Sequence, residues 1–313
     1  MKILVTGGCG YIGTELIKSL LKKNIKVISV DKKIFGDYLP RNKNLTNLKL
    51  CVSKIDKKIM KNVDIVIHLA AISNDPAALL NSKITWETNV LYTLHLLNVC
   101  KQSKIKQFMF ASSGSVYGIS DKKKVDEKTK LVPITDYNKT KMVGEILVDN
   151  FKGFFSTLIL RPGTVCGYSD NIRTDLTVNA MTLDALIKKK ITVNGGSQIR
   201  PQLDIDDMIN CYNYFIGKKV SDTFNVGFEN YSINNIANII KENLPKVKIK
   251  KNSSLDVRSY RLHAKKLLNH GFKPLKNANN AVQELIINFE KNKIFQRDTN
   301  LRSVFLRTYL NNK

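Results

Sequence analysis

The chain lacks several things a sequence of 313 residues can carry. No run of about 18 apolar residues occurs, which excludes a membrane-spanning helix and removes the membrane from the expected partners. Met1-Lys2-Ile3-Leu4-Val5-Thr6-Gly7 is too short an apolar run for a signal peptide and reads as a strand entering a turn. Long Gly/Ser-rich or Pro-rich stretches are absent, so no disordered linker is indicated. The five cysteines (Cys9, Cys51, Cys100, Cys166, Cys211) are scattered and form no CxxC pair. That excludes a zinc framework and points to reduced thiols in a cytoplasmic setting. His95, His263 and His270 fit no ligand spacing, so no metal is expected.

Acid is also short: 26 Asp and Glu stand against 51 Lys and Arg, a net charge of +25. The basic residues are mostly lysines in short groups such as Lys122-Lys123-Lys124 and Lys188-Lys189-Lys190, spread along the chain. Arginine is scarce and forms no stripe with aromatics. The excess therefore reads as compositional bias, and nucleic acid is not the expected partner. A positive field still helps to attract a phosphorylated substrate. The hydrophobic content of 43% supports a sizeable core, and the length fits one large domain or two coupled ones.

Short β-rich runs alternate with helical patterns in the first half. Ile3–Val5, Lys26–Val30, Val63–Leu69, Gln107–Ala111 and Ser156–Leu160 read as strands. Tyr11–Lys22, Thr88–Cys100 and Tyr137–Asn150 read as helices. The run Val63, Ile65, Val66, Ile67 is nearly continuous, as in a strand buried on both faces. Such alternation means βαβ units and an α/β, parallel, doubly wound sheet. The pattern loosens after Arg161. Leu176–Lys188, Asp206–Ile216, Ile233–Asn243 and Ala278–Asn292 read as helices, Ile191–Val193 as a strand, and Thr223–Val226 as a strand returning to the sheet. The expected division is residues 1–165, a dinucleotide-binding domain, and 166–313, mainly a smaller substrate lobe.

Thr6-Gly7-Gly8-Cys9-Gly10-Tyr11-Ile12-Gly13 follows the first strand and opens the first helix. Glycines here let the backbone turn sharply and approach a pyrophosphate without Cβ atoms in the way. The helix N-terminus then offers N–H groups and partial positive charge to the anion. Asp31 closes the second strand, 18 residues after Gly13. A carboxylate there accepts both ribose hydroxyls of an adenosine and repels a 2′-phosphate, which favours NAD over NADP. Lys32 lies at the same end.

Tyr137-Asn138-Lys139-Thr140-Lys141 contains Tyr-x-x-x-Lys, which puts both side chains on one helix face. A neighbouring ammonium lowers the pKa of a tyrosine and equips it as a general acid/base for an alcohol–ketone interconversion. Upstream, Ala111-Ser112-Ser113-Gly114-Ser115-Val116-Tyr117-Gly118 puts hydroxyls at the C-terminal edge of the sheet, where ligands bind in open α/β folds.

With these motifs in order, the chain resembles the extended short-chain dehydrogenase/reductase family, in particular its nucleotide-sugar epimerases and dehydratases. The resemblance rests on Thr6–Gly13, Asp31, His68-Leu69-Ala70-Ala71, Asn89, Ser112–Gly118, Tyr137/Lys141, Arg161-Pro162-Gly163 and Arg200…Asp207. It implies a Rossmann-type sheet with a smaller C-terminal substrate-binding lobe. It implies that Ser113 binds the sugar's reacting oxygen, Tyr137 is the acid/base, and Lys141 holds the nicotinamide ribose. Tyr11 and Ile12 are implied at the pyrophosphate. Leu69, Ala70, Ala71, Ser112 and Gly163 are implied along the cofactor, with Asn89 bracing that region. His68 matches a family position but reads as a packed structural histidine. Asn179, Arg200 and Arg258 are implied at the substrate's diphosphate, Arg200 the best placed by spacing.

The implied activity is NAD-dependent epimerisation of a nucleotide-diphosphate sugar, at C4, through a transient 4-keto sugar. The alternative is a 4-keto nucleotide-sugar reductase consuming NAD(P)H, and a further one a non-catalytic dinucleotide- or RNA-binding relative. A 4,6-dehydratase is disfavoured, because the Asp-Glu pair that family dehydratases carry after the catalytic hydroxyl is Gly114-Ser115 here. Cys166 reads as packing or pocket shape. The resemblance also implies a homodimer, formed through the helices Thr88–Cys100 and Tyr137–Asn150.

Overall fold

Alternate residues of the first strands bury on opposite sides of one sheet. Ile3, Val5, Ile65, Ile67, Met109, Leu158 and Leu160 enter one core cluster. Leu4, Val66, Phe108, Phe110 and Ile159 enter another. This period of two, with apolar residues at both phases, is what a sheet covered on both faces demands.

The computed structural model describes residues 1–120, 124–253, 259–291 and 302–311. The strands are β1 (Lys2–Thr6), β2 (Lys26–Asp31), β3 (Leu45–Lys49), β4 (Ile65–His68), β5 (Gln107–Ala111), β6 (Ser156–Pro162), β7 (Thr164–Cys166), β8 (Lys190–Asn194), β9 (Ile199–Asp204), β10 (Asp222–Val226), β11 (Glu229–Ser232) and β12 (Lys248–Asn252). The helices are α1 (Tyr11–Lys22), α2 (Asp75–Ala78), α3 (Ser82–Trp86), α4 (Tyr92–Gln102), α5 (Asp136–Asp149), α6 (Thr177–Lys188), α7 (Ile205–Phe215), α8 (Ile233–Asn243), α9 (Lys265–Asn269), α10 (Ala278–Glu290) and α11 (Arg302–Asn311).

Seven strands form the main sheet in the order β10-β6-β5-β4-β1-β2-β3, every pair parallel. The order reverses between β1 and β4, which opens a crevice at their C-terminal ends. α1 and α7 cover one face: Leu16, Ile17 and Leu20 pack with Met208, Tyr212 and Phe215. α4 and α5 cover the other, through Leu96, Leu97 and Val148. The chain therefore returns from its second half twice, as α7 against α1 and as β10 beside β6.

The rest of the second half has its own core. Val178, Met181, Ile191, Val193, Ile236, Ile240, Ala281 and Val282 join α6, α8 and α10 to β8. A three-stranded sheet, β11-β9-β7, and the parallel pair β12-β8 complete it.

Two of the differences from expectation bear on the main sheet and its helices. The strand expected at Val63–Leu69 is the fourth in the chain, Ile65–His68, because Leu45–Lys49 also joins the sheet. Sequence Leu-Thr-Asn-Leu-Lys is half exposed at the edge beyond β2 and carries little of a strand's apolar signature. The expected helix Thr88–Cys100 starts instead in a π-helical turn, Glu87–Leu91, that continues into α4. Asn89 in this turn is tied to other segments: it accepts the Ile72 amide at 2.8 Å and donates to Ile72 O at 3.1 Å and Thr140 Oγ1 at 3.0 Å. Among the described residues no helix is long and apolar enough to cross a membrane.

Candidate active site

One cavity of about 1000 Å³ runs along the C-terminal edge of the sheet. Gly7, Gly10, Tyr11, Ile12, Gly13, Asp31, Lys32, Leu69, Ala70, Ala71, Ser112, Ser113, Tyr137, Lys141, Gly163 and Arg200 all border it.

The glycine turn forms its floor near β1. Gly7 sits at φ +69°, and a Cβ there would meet the Ala70 amide N at 2.7 Å. The backbone can therefore lie this close to the strand end only without a side chain. α1 begins at Tyr11 with no side-chain cap at Gly10 and no acid in its first turn, which leaves the positive end of the helix to an anion. Asp31 closes β2 beside it. Its carboxylate accepts the Cys9 amide at 3.1 Å and the Lys33 amide at 2.6 Å. Burial raises its pKa and these two bonds oppose the rise. Lys32 lies 5.8 Å from the Tyr92 ring at the same end. A glycine cradle for a pyrophosphate and a carboxylate for the adenosine ribose make this end fit a dinucleotide without a 2′-phosphate.

The middle of the cavity holds the candidate reacting groups. α5 begins at Asp136 because the Thr135 hydroxyl caps the Asn138 amide, and it aims Tyr137 and Lys141 at the end of β5. Tyr137 is hydrogen-bonded to Ser113, and burial of its phenol pushes it up to about 12, while the Ser113 bond and the charge of Arg173 pull the other way, so burial reverses the lowering expected from the neighbouring ammonium. Lys141 Nζ donates to Ala111 O at 2.7 Å. Burial pulls Lys141 down to about 8, and Glu145 opposes the fall. Ser113 also meets Ser115 Oγ at 2.8 Å, and Asn138 Nδ2 donates to Ser115 Oγ at 2.8 Å. His68 is packed between Thr6 Oγ1 (2.6 Å) and Thr93 Oγ1 (2.9 Å), and burial pulls it down to about 3, so it stays neutral.

Some residues of the lining carry no motif. Arg173 and Asp175 border the cavity, and the charge of Arg173 acts on Tyr137. They form an ion pair at 2.8 Å, with Asn74 Nδ2 donating to Asp175 Oδ2 at 2.6 Å and Arg173 to Ser73 Oγ at 3.2 Å. Asp75 accepts the Thr135 hydroxyl at 2.6 Å and Asn138 Nδ2 at 3.3 Å. Sequence reasoning passed over these residues, although Asn138 stands inside the Tyr-x-x-x-Lys stretch. Leu306 and Tyr309 of α11 also border the cavity, where α11 packs against α2.

Among the residues expected at the substrate, one expectation is corrected. Asn179, expected at a diphosphate, is fully buried and does not border the cavity. Its Oδ1 accepts the Gly167 amide at 2.9 Å, and its Nδ2 donates to Arg173 O at 3.0 Å and Tyr11 Oη at 3.3 Å. It fastens the 167–173 turn onto α1 instead. Asn89 likewise stands behind the cavity wall, bracing Ile72. Arg200, on β9, does face the cavity, with Gln198, Asn194 and Thr192 beside it. Arg258 lies outside the described residues. Cys166 is fully buried and its thiol is raised by burial, which suits packing and opposes reactivity.

Known proteins resemble this chain in sequence and fold. Residues 3–227 match the model of the NAD dependent epimerase/dehydratase family. A Bacillus subtilis protein described as an uncharacterized UDP-glucose epimerase is 33% identical over 261 residues, 77% of this chain and 82% of its own. A dTDP-D-glucose 4,6-dehydratase of Dictyostelium discoideum is 32% identical over 268 residues, 75% of this chain and 60% of its own. The crystal structure of a UDP-glucuronic acid 4-epimerase from Bacillus cereus, in complex with UDP-glucuronic acid and NAD, superposes with a TM-score of 0.82 at 25% identity, over 93% of this chain and 100% of that one. With residues 3–227 matched by the family model on a parallel seven-stranded sheet, the chain belongs to the NAD-dependent epimerase/dehydratase family.

Proposed function

We propose that this chain is an NAD-dependent nucleotide-sugar epimerase acting at C4. The observation that carries the reading is the convergence of Ser113, Tyr137 and Lys141 on one wall of the cavity, with no carboxylate at the two positions after Ser113. A Cβ on Gly114 would crowd Leu262 Cδ1 at 2.7 Å and Pro162 O at 3.1 Å. Ser115 is engaged by Ser113 and Asn138. The acid–base pair that an elimination of water needs is therefore missing from this turn.

Bound NAD supplies the hydride acceptor and donor. The protein's own groups move the proton and hold the sugar. Ser113 hydrogen-bonds the C4 oxygen and turns it toward Tyr137. Tyr137 takes the hydroxyl proton as a phenolate and later returns it. Lys141 stabilises that phenolate by charge and holds the nicotinamide ribose. Arg200 holds the diphosphate, because a planar guanidinium gives paired, charge-assisted bonds to phosphate oxygens. The wide cavity leaves room for the oxidised sugar to present its other face, which is what inversion requires.

Leu91 and Leu94 near α4 and Ile146 on α5 are exposed at 59%, 36% and 54%. We read this apolar face as the seam of a homodimer. The five thiols are unpaired, which fits a reducing cytoplasm.

The test is to release and identify the dinucleotide from purified protein, then to incubate the protein with UDP-, dTDP-, GDP- and CDP-sugars without added reductant. Bound NAD, an isomerised sugar and no net change at 340 nm are expected. Turnover only when NADPH and a 4-keto sugar are supplied assigns the reductase instead. The dimer is tested by sedimentation, where a mass of 35.5 kDa at micromolar concentration refutes it.

A further inference from the structure

We propose that Glu145 is a positioning residue for this reaction. From the face of α5 that carries Tyr137 and Lys141, it fixes the end of β5 that leads into Ser113 and supplies the counter-charge facing Lys141. The proposal rests on the reading of Ser113, Tyr137 and Lys141 given above.

The geometry is a clamp of two adjacent turns of helix on the last residue of β5 and the residue after it. Lys141 and Glu145 are four residues apart and share a helix face. Lys141 holds Ala111 by its carbonyl at 2.7 Å. Glu145 accepts a hydrogen bond from the Ser112 hydroxyl. Ser113 is the next residue, so its direction follows from both grips.

Glu145 is itself held. It is 6% exposed, and Arg161 of β6 donates to it twice, Nε to Oε1 at 2.9 Å and Nη2 to Oε2 at 2.6 Å. A bidentate guanidinium holds a buried carboxylate in one orientation. Arg161 in turn stacks 5.0 Å from the Tyr117 ring and donates to Tyr117 Oη at 2.7 Å. Tyr117 donates to Asn225 Oδ1 of β10 at 2.7 Å.

The groups facing Lys141 give Glu145 its second effect. Tyr137 lies on the same helix. From β5 comes the Phe110 ring, at 5.1 Å. From β4 comes His68, held neutral. Arg161 stands on the far side of Glu145. Glu145 is the acid that opposes the loss of the Lys141 proton to burial.

The test uses Glu145→Gln in the full chain with NAD bound, on whichever UDP-, dTDP-, GDP- or CDP-sugar the wild type turns over best. Expected are unchanged NAD content, KM within about twofold, kcat lower by about 10–100-fold, and an alkaline fall of kcat that begins about one pH unit lower. Glu145→Asp keeps the charge and returns the alkaline fall to its place, with kcat only partly restored. A lower melting temperature with the wild-type pH profile and kcat marks a structural pair only and overturns the proposal.

If Glu145→Gln does not fold, Ser112→Ala carries the test, because it cuts the clamp and leaves the ion pair whole. A kcat several-fold lower at unchanged KM supports the clamp, and an unchanged kcat overturns it. If the wild type turns over no sugar nucleotide, the functional reading fails by itself. Glu145 is then tested without turnover, by NMR of holo-protein labelled with ε-13C lysine. The signal missing in Lys141→Arg should titrate at lower pH in Glu145→Gln, and an unmoved titration overturns the proposal.

Discussion

The two ends of the cavity are built in opposite ways. The cofactor and reaction end takes its residues from short consecutive stretches at regular strand ends: Gly7–Gly13 after β1, Asp31 at the end of β2, Leu69–Ala71 after β4, and Ser112–Ser115 after β5. The rest of the lining draws single residues from distant places in the chain: Arg173 and Asp175 from a loop, Arg200 from β9, Tyr260 from a coil and Tyr309 from α11. One end is set by backbone geometry that a parallel sheet imposes. The other is set by side chains on irregular elements, which can vary without disturbing the sheet. Chemistry should therefore be concentrated at the first end and substrate choice at the second.

The sharpest way to break that division is at Tyr137. Tyr137→Phe removes the proton carrier and keeps the ring. We expect kcat to fall by about 10²–10⁴-fold, with the NAD content and the KM of the sugar nucleotide nearly unchanged. A variant that keeps a tenth of its activity places the acid/base elsewhere.

Arg200→Ala probes the opposite end. It removes charge-assisted bonds to a diphosphate, each worth about 1.5–3 kcal/mol. KM should rise by about 10–100-fold while kcat falls by less than about threefold and NAD stays bound. An equal fall of kcat and kcat/KM would put Arg200 in the transition state and erase the division.

The same contrast explains what could be read from the sequence. Both core faces of the sheet follow from strict alternation, as in Ile65, Val66 and Ile67 of β4. The glycine turn and Tyr137/Lys141 are short-range patterns, because neighbours in sequence are neighbours at one strand end or one helix face. Leu45–Lys49 escaped because an edge strand is half wet. Arg173 and Asp175 escaped because their partners Ser73 and Asn74 lie about a hundred residues earlier, so that no local pattern contains the cluster. Asn179 misled for a related reason. An asparagine on a helix looks the same in sequence whether it faces a phosphate or a buried turn, and here it faces the turn.

α11 sharpens the comparison further. Leu306 is 4% exposed and borders the cavity with Tyr309, beside the short helix α2 that carries Asp75. Tyr309→Ala should raise the KM for the sugar nucleotide by about 3–10-fold and leave NAD content unchanged. An equal effect on NAD retention would show that α11 serves the whole cavity.

The smallest effect expected is on stability, at the joint between the two ends. Asp204 closes β9 and caps α7 through the Asp206 amide at 2.8 Å. Its other oxygen is buried without a hydrogen-bond partner among the described residues. Burial pushes its carboxyl up from 3.8 to about 7, with the charges of Asp206 and Glu284 adding to the rise and Lys276 opposing it. A folded-state value above the unfolded one means that the folded protein holds this proton longer. Its favourable contribution is complete below about pH 4 and is lost as pH rises towards 7, after which it stays lost. Asparagine caps a helix about as well as aspartate and does not titrate. Asp204→Asn should therefore melt a few degrees higher than the wild type at pH 7.5 and match it near pH 4. A gap that does not grow between those two pH values would show that Asp204 is ionised throughout. The position where the substrate lobe meets α7 would then be held by charge and not by a buried neutral cap.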